Sequence, residues 1–184
     1  MEHSDVPIVL CTSNAGKVRE FERMLGRPVE AVAIDLTEIQ ALDTKSVSLF
    51  KAKEAYQRLQ RTVIVDDTSL GLVALNGFPG ALITWALKAG GNEILHRMLP
   101  PGAAPDALIS TSIGYCDGER TEVVTGEVKG TVSQVSRGAN GFGFDSIFIP
   151  EGESRTLAEM PDAEKDALSS RRLAIDALRV LLTT

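Results

Sequence analysis

The 184-residue chain is 43% hydrophobic and 24% charged, the composition of an ordinary globular domain long enough to bury a core. Its net charge of −6 argues against a binder of nucleic-acid polymers, but allows a small anionic ligand where a few cations and a metal converge. No apolar run of about 18 residues is present to span a membrane, and the polar residues 1–7 do not resemble a signal peptide, so the expectation is a single cytoplasmic domain.

In chain order, Pro7-Ile8-Val9-Leu10-Cys11 is a short apolar run that predicts a buried strand. Turn-forming residues 12–16 end it, and Val18, Phe21, Met24 and Leu25 then recur at helical spacing up to Gly26. Residues 29–36 alternate in part and predict a second strand, followed by a polar loop over 37–45. Residues 46–60 predict a helix with Val47, Phe50 and Ala55 toward the core. Thr62-Val63-Ile64-Val65 is a β-branched strand, with Asp66-Asp67 at its C-terminal end. Asn76-Gly77-Phe78-Pro79-Gly80 is a loop, and residues 81–99 predict one or two helices interrupted at Gly90-Gly91. Residues 107–116 and 121–135 predict strands joined by a turn at Asp117-Gly118. A Gly-rich segment, 138–143, precedes the apolar Ile147-Phe148-Ile149, and residues 168–182 predict an amphipathic helix. Interleaved helices and strands imply an α/β fold, and the adjacent strands around Asp117-Gly118 imply a mixed sheet.

Four segments could carry chemistry. Strand, Thr12-Ser13-Asn14-Ala15-Gly16-Lys17, then helix offers a helix N-terminus and a lysine to a phosphate, although it lacks the Walker A spacing and a capped helix also accounts for it. Asp66-Asp67 offers paired carboxylates where α/β enzymes bind ligands, with both able to face a cleft if a turn breaks the strand's alternation. A solvated turn is the plainer alternative, and Glu38 is a further carboxylate that could equally be a surface residue. Arg137-Gly138-Ala139-Asn140-Gly141-Phe142-Gly143-Phe144-Asp145 offers aromatic faces to a nucleobase, or a bulged strand with both Phe rings in the core. Glu164-Lys165-Asp166-Ala167-Leu168-Ser169-Ser170-Arg171-Arg172 concentrates cations, or is a solvated helix face. Cys11 and Cys116 offer neither a disulfide framework nor zinc spacing and are expected as buried thiols. With only His3 and His96 and no GxSxG, a histidine-based triad or metal cage has too few members.

Together the four segments resemble the inosine triphosphate pyrophosphatase (Ham1-like) family, in order and over nearly the whole chain. Thr12-Ser13-Asn14-Ala15-Gly16-Lys17 is similar to its T-G-N-x-x-K signature, and Ile34-Asp35-Leu36-Thr37-Glu38 to its second-strand segment. Val65-Asp66-Asp67-Thr68-Ser69-Leu70 with the run from Ala74 to Gly80 resembles E-D-[ST]-x-L…L-x-G-x-P-G. Phe142-Gly143-Phe144-Asp145 resembles F-G-[WY]-D, and Ala158-Glu159-Met160, Glu164-Lys165 and Ser169-Ser170-Arg171 resemble A-E-M…E-K-N…S-H-R.

The resemblance implies an elongated mixed sheet with flanking helices, two lobes around a central cleft, and a homodimer. It implies magnesium-dependent cleavage of a nucleoside triphosphate to the monophosphate and pyrophosphate, on inosine or xanthosine nucleotides. By the same resemblance Thr12, Asn14 and Lys17 hold the triphosphate with help from Lys51, and Ser13 and Thr68 are further substrate-binding residues. Glu38, Asp66 and Asp67 bind or organise the metal, and Asp67, with Lys17, is catalytic. Phe142 stacks on the base, with Phe144, Asp145, Lys165, Ser169, Ser170 and Arg171 around it. Four positions depart from the pattern: Ser13 for Gly, Ser146 for Pro, Asp166 for Asn and Ser170 for His. The last lies at the purine end, so a relative with shifted base specificity, acting on a special or modified nucleotide, is the alternative. A catalytically silent nucleotide binder is a third.

Overall fold

Val9, Leu10 and Cys11 are buried together, and this apolar triplet seeds the parallel part of the sheet. The computed structural model describes residues 9–183; Pro7, Ile8 and His3 lie outside them. The strands are β1 (Val9–Cys11), β2 (Glu30–Val32), β3 (Val63–Leu72), β4 (Pro79–Gly80), β5 (Asp106–Cys116), β6 (Thr121–Val132) and β7 (Phe148–Pro150). The helices are α1 (Ala15–Leu25), α2 (Thr44–Leu59), α3 (Ile83–Gly90), α4 (Ile94–Arg97), α5 (Asp162–Ala167) and α6 (Ser170–Thr183). One mixed sheet runs in the order β2-β1-β3-β5-β6-β7, with β4 paired onto β3. β1 is parallel to β2 and β3, while the long β3, β5 and β6 pair antiparallel.

The alternation of β3 divides the molecule. Ile64 packs with Ile113 and Tyr115 of β5 against Phe21 and Met24 of α1 and Ala174, Ile175 and Leu178 of α6. Val63 and Val65 face the other way, toward Ala52 and Ala55 of α2. Farther along, Leu70 and Leu72 join a third cluster with Ile83, Leu95, Ile109, Ile147, Phe148 and Met160. Burying side chains of this size contributes about 1.5–3 kcal/mol each. These three clusters therefore fix which face each β3 residue takes, because a one-residue slip would move every side chain to the opposite face and break the packing of both.

Several elements differ from the sequence expectation. β3 does not stop at Val65 but continues to Leu72, held by ten register partners on β5. Its two carboxylates are tolerated within the strand because each meets a cation, as described below. β2 is shorter than residues 29–36, and β6 ends at Val132, leaving Val135 exposed. α2 starts at Thr44 because the Asp43 side chain caps it, accepting from Ser46 N at 2.8 Å. Val47 and Ala55 are buried as expected, but Phe50 is 41% exposed. The helix expected over 168–182 is α6, starting two residues later at Ser170 and separated by a short break from α5, which the sequence pattern does not predict. Of the two readings of the Gly-rich segment 138–143, the bulged strand is absent, and the segment runs through bends and a turn. Cys11 and Cys116 are buried free thiols, and burial pushes the Cys11 thiol up to about 11. Among the described residues no helix is long and apolar enough to cross a membrane.

Candidate active site

The site forms at a gap in the edge of β3. Pairing with β1 ends at Leu10↔Ile64, and β4 pairs only with Leu70 and Gly71. Residues 66–69 therefore have no strand neighbour on that side, and the backbone there needs another partner. Lys17, from the first turn of α1, supplies one: its Nζ donates to the Asp66 carbonyl at 2.6 Å and meets Asp66 Oδ1 at 2.6 Å. A cleft of about 740 Å³ opens at the gap. It is lined by Thr12, Ser13, Asn14, Lys17, Glu38, Lys51, Asp66, Asp67 and Thr68, and by Phe142, Phe144, Asp145, Lys165, Ser169, Ser170 and Arg171. The fold thus brings all the candidate residues to one place.

The expected turn after Val65 is absent, so Asp66 and Asp67 project to opposite faces of a continuous strand. Both reach the cleft because it lies off the strand's edge, open to both faces. On the α2 face, Asp67 Oδ1 is 2.8 Å from Lys51 Nζ, which is also 2.6 Å from Glu38 Oε1. Burial alone would lower the Lys51 pKa, but Asp67 and Glu38 outweigh it and raise it above the usual lysine value. Ser48, fully buried one helical turn before Lys51, lies 3.4 Å from Asp67 Oδ2 and 3.0 Å from the Ser112 carbonyl.

On the opposite face, Asp66 is enclosed with Arg171, whose Nε donates to Oδ2 at 3.0 Å. Burial opposes the charged Asp66, but Arg171 and then Lys17 overcome it and hold the carboxyl down to about 2. Arg171 also donates to Glu20, which accepts from Lys165 at 2.6 Å, and Lys165 lies 2.7 Å from Asp145 Oδ2. Burial is the largest influence on Asp145 and leaves its pKa raised despite Lys165. The Phe142 ring lies 5.1 Å from Lys165 Nζ and 5.7 Å from Arg171 Cζ, within cation–π range. It also covers Gly16, where a Cβ would meet Phe142 Cδ1 at 2.6 Å, so glycine lets the aromatic ring close over the loop. Phe144 packs partly against the third core cluster.

The loop before α1 differs from the expectation of free amides. Asn14 Oδ1 accepts from Gly16 N and Lys17 N, and Thr12 Oγ1 accepts from Asn14 N. What remains for an anion is the positive helix end, Lys17 and the side-chain donors of Thr12 and Asn14.

Sequence reasoning missed two residues. Glu20 carried a signal, since it lies three positions after Lys17 and so shares its helix face. Ser48 stands in the same relation to Lys51, but a serine in a helix pattern gives no warning of burial. The departures also have local partners. Asp166 receives Arg23 Nε and Nη2 at 2.8 and 2.9 Å, tying α5 to α1. Ser146 Oγ accepts from Asn92 Nδ2 at 2.8 Å. No contact in the structure explains Ser13.

Among the described residues no three His, Cys, Asp or Glu side chains gather as a metal cage. Glu38 and Asp67 do converge on a cation, the Lys51 ammonium. Two carboxylates beside an anion site fit a hard divalent ion that takes its other ligands from phosphates and water. Asp66 faces Lys17 and Arg171 instead, which groups it with the cations and not with the pair of carboxylates.

The sequence profile of the Ham1 family matches residues 8–181. A dITP/XTP pyrophosphatase of Methanopyrus kandleri is 36% identical over 173 residues, covering 92% of each chain. An inosine triphosphate pyrophosphatase of Yarrowia lipolytica is 38% identical over 180 residues, covering 95% of each. The Ham1 protein of Staphylococcus aureus superposes with a TM-score of 0.80 at 28% identity, covering 96% of this chain and 97% of that one.

Proposed function

The chain belongs to the Ham1 family, and from that premise we propose that it hydrolyses non-canonical purine nucleoside triphosphates (ITP, dITP and XTP) to the monophosphate and pyrophosphate. The observation that carries the reading is the gap in β3, where Lys17, Lys51, Glu38 and Asp67 line the same cleft as Phe142, Lys165 and Arg171. The first group suits a triphosphate and the second an aromatic base. One domain with two lobes, paired as a homodimer in the cytoplasm, is the form we assign to it.

In this reading Lys17 and Lys51 neutralise the triphosphate, with Thr12 and Asn14 donating to its oxygens. Asp67 accepts a proton from a water that attacks the α-phosphorus. The bond from that phosphorus to the bridging oxygen breaks, and pyrophosphate leaves beside the lysines. Glu38 and Asp67 would hold Mg²⁺, which when bound supplies further charge neutralisation on the phosphates. Asp66 keeps Lys17 and Arg171 in place. Phe142 stacks on the base, and Asp145, Lys165, Ser169 and Arg171 surround it and the sugar.

The test is a panel of ITP, dITP, XTP, ATP and GTP with Mg²⁺, measuring released pyrophosphate and monophosphate. Preference for the first three is expected. Equal turnover of all five would favour a relative with shifted base specificity, and binding without turnover a silent binder.

A further inference from the structure

Three hydroxyls stand in a row in the wall of the cleft, and the mechanism above uses none of them. Thr68 and Thr111 are register partners on β3 and β5, and their Oγ1 atoms are 3.2 Å apart. Ser170 Oγ lies 2.7 Å from Thr111 Oγ1. The next residue across the sheet is Gly126, the register partner of Thr111 on β6. A Cβ there would collide with the Ser170 carbonyl and the Ala174 amide, so glycine admits the first turn of α6 onto the sheet. That close approach sets the Ser170 hydroxyl against Thr111.

The far end of the row returns to the same helix. Arg171 Nη2 donates to Thr68 Oγ1 at 3.1 Å. Ser170 and Arg171 are consecutive, so Ser170, Thr111, Thr68 and Arg171 close a ring. A guanidinium can only donate, so Thr68 accepts from it and still has a proton to hand on. Thr111 is fully buried, and a buried hydroxyl needs its partners.

We propose that Ser170 is a positioning residue that holds the Arg171 guanidinium through Thr111 and Thr68, and so sets purine discrimination without touching the base. The proposal rests on the functional reading above, which puts the base beside Phe142 and Arg171. Arg171 Nε and Nη2 donate to Asp66, Nη1 to Glu20, and the second Nη2 proton to Thr68 of the hydroxyl ring, which leaves one Nη1 N–H for a ligand. A single donor meets a 6-oxo oxygen only when the guanidinium plane is fixed.

The experiment measures kcat and KM for ITP and ATP in the wild type and in Ser170→Ala, Thr111→Val, Thr111→Ser and the Ser170→Ala/Thr111→Val double variant. Losing one hydrogen bond of this kind is expected to cost about five-fold in kcat/KM for ITP, mostly in KM, with ATP little changed. Thr111→Ser keeps the hydroxyl and should restore the ITP preference. The double variant should be no worse than the weaker single one, because both break the same ring. A loss in Ser170→Ala with none in Thr111→Val would overturn the proposal in favour of direct base contact. Equal losses on ITP and ATP would overturn it in favour of a purely structural role. An active, ITP-preferring wild type with unaffected variants sinks this inference alone, whereas a wild type that turns over neither nucleotide removes the functional reading and this one with it.

Discussion

Replacing Asp66 with Asn removes the charge from the most enclosed carboxylate of the site while keeping its shape. The carboxyl sits at about 2 against an ordinary 3.8. At 1.36 kcal/mol per pKa unit, about 2 kcal/mol of stability depends on its ionised form. Because the folded value is the lower one, that contribution is complete above the unfolded value of 3.8 and is lost as pH falls toward about 2. The Asn variant lacks it at neutral pH and also leaves Lys17 and Arg171 short of a partner, for which about 3–5 kcal/mol is an upper bound. Urea titrations at pH 7 should place Asp66→Asn about 2–4 kcal/mol below the wild type. By pH 3 about 1 kcal/mol of that gap should close, since the wild type is then losing what the variant never had. Groups that titrate alike in both proteins cancel from the difference. A gap under about 1 kcal/mol at pH 7, or one that stays constant down to pH 3, would mean that Arg171 and Lys17 do not hold this charge.

Asp67→Asn should lower kcat by about 10²–10⁴ while leaving calorimetric nucleotide affinity within a few-fold; wild-type turnover would remove Asp67 from proton transfer. Ser48→Ala should lower kcat a few-fold with KM unchanged, as Ser48 touches Asp67 and not the cleft's base end; a change in KM alone would exclude that role. A double-mutant cycle on Arg23→Ala and Asp166→Asn should show coupling of about 1 kcal/mol in stability, and additivity would mean that the bidentate pair does not tie α5 to α1. Chelation with EDTA should abolish pyrophosphate release and added Mg²⁺ should restore it, whereas turnover that survives chelation would leave Glu38 and Asp67 without a metal role.

The order of elements was legible from periodicity and turn residues, because the apolar positions of α1, β3 and β5 face distinct core clusters. The place where β3 ends was not. Asp66-Asp67 reads as the end of a strand because carboxylates are poor strand formers, and no local signal shows that Lys17, Lys51 and Arg171 arrive from three helices to neutralise them. Burial of Glu20 was hidden for the same reason, since its partners Lys165 and Arg171 lie about 150 positions away. Phe50 shows the opposite error: helical spacing pointed it inward, but it lies 41% exposed. Ser170 was legible as a departure from the family pattern, yet its hydroxyl partner depended on Gly126 letting α6 onto the sheet.

The charge of the assembled site explains why a divalent cation belongs in the reading. The cleft and its walls hold Lys17, Lys51, Lys165 and Arg171 against Glu20, Glu38, Asp66, Asp67 and Asp145. With all of them ionised the carboxylates exceed the cations by one, in a chain whose net charge is already −6. Lysines tied to carboxylates attract a triphosphate weakly, because each anion has to displace an ion pair or share it. On the proposed function Glu38 and Asp67 would hold a divalent ion that supplies the missing positive charge, and Lys51 would then be available to the phosphates. The enclosed side, where Asp66 and Glu20 match Arg171 and Lys165, gains nothing from such an ion and keeps its geometry. On the proposed function the two faces of β3 would divide the work: the α2 face, with Lys51 between Glu38 and Asp67, would meet metal and phosphates, and the α6 face, with Arg171 between Asp66 and Glu20, would meet the base.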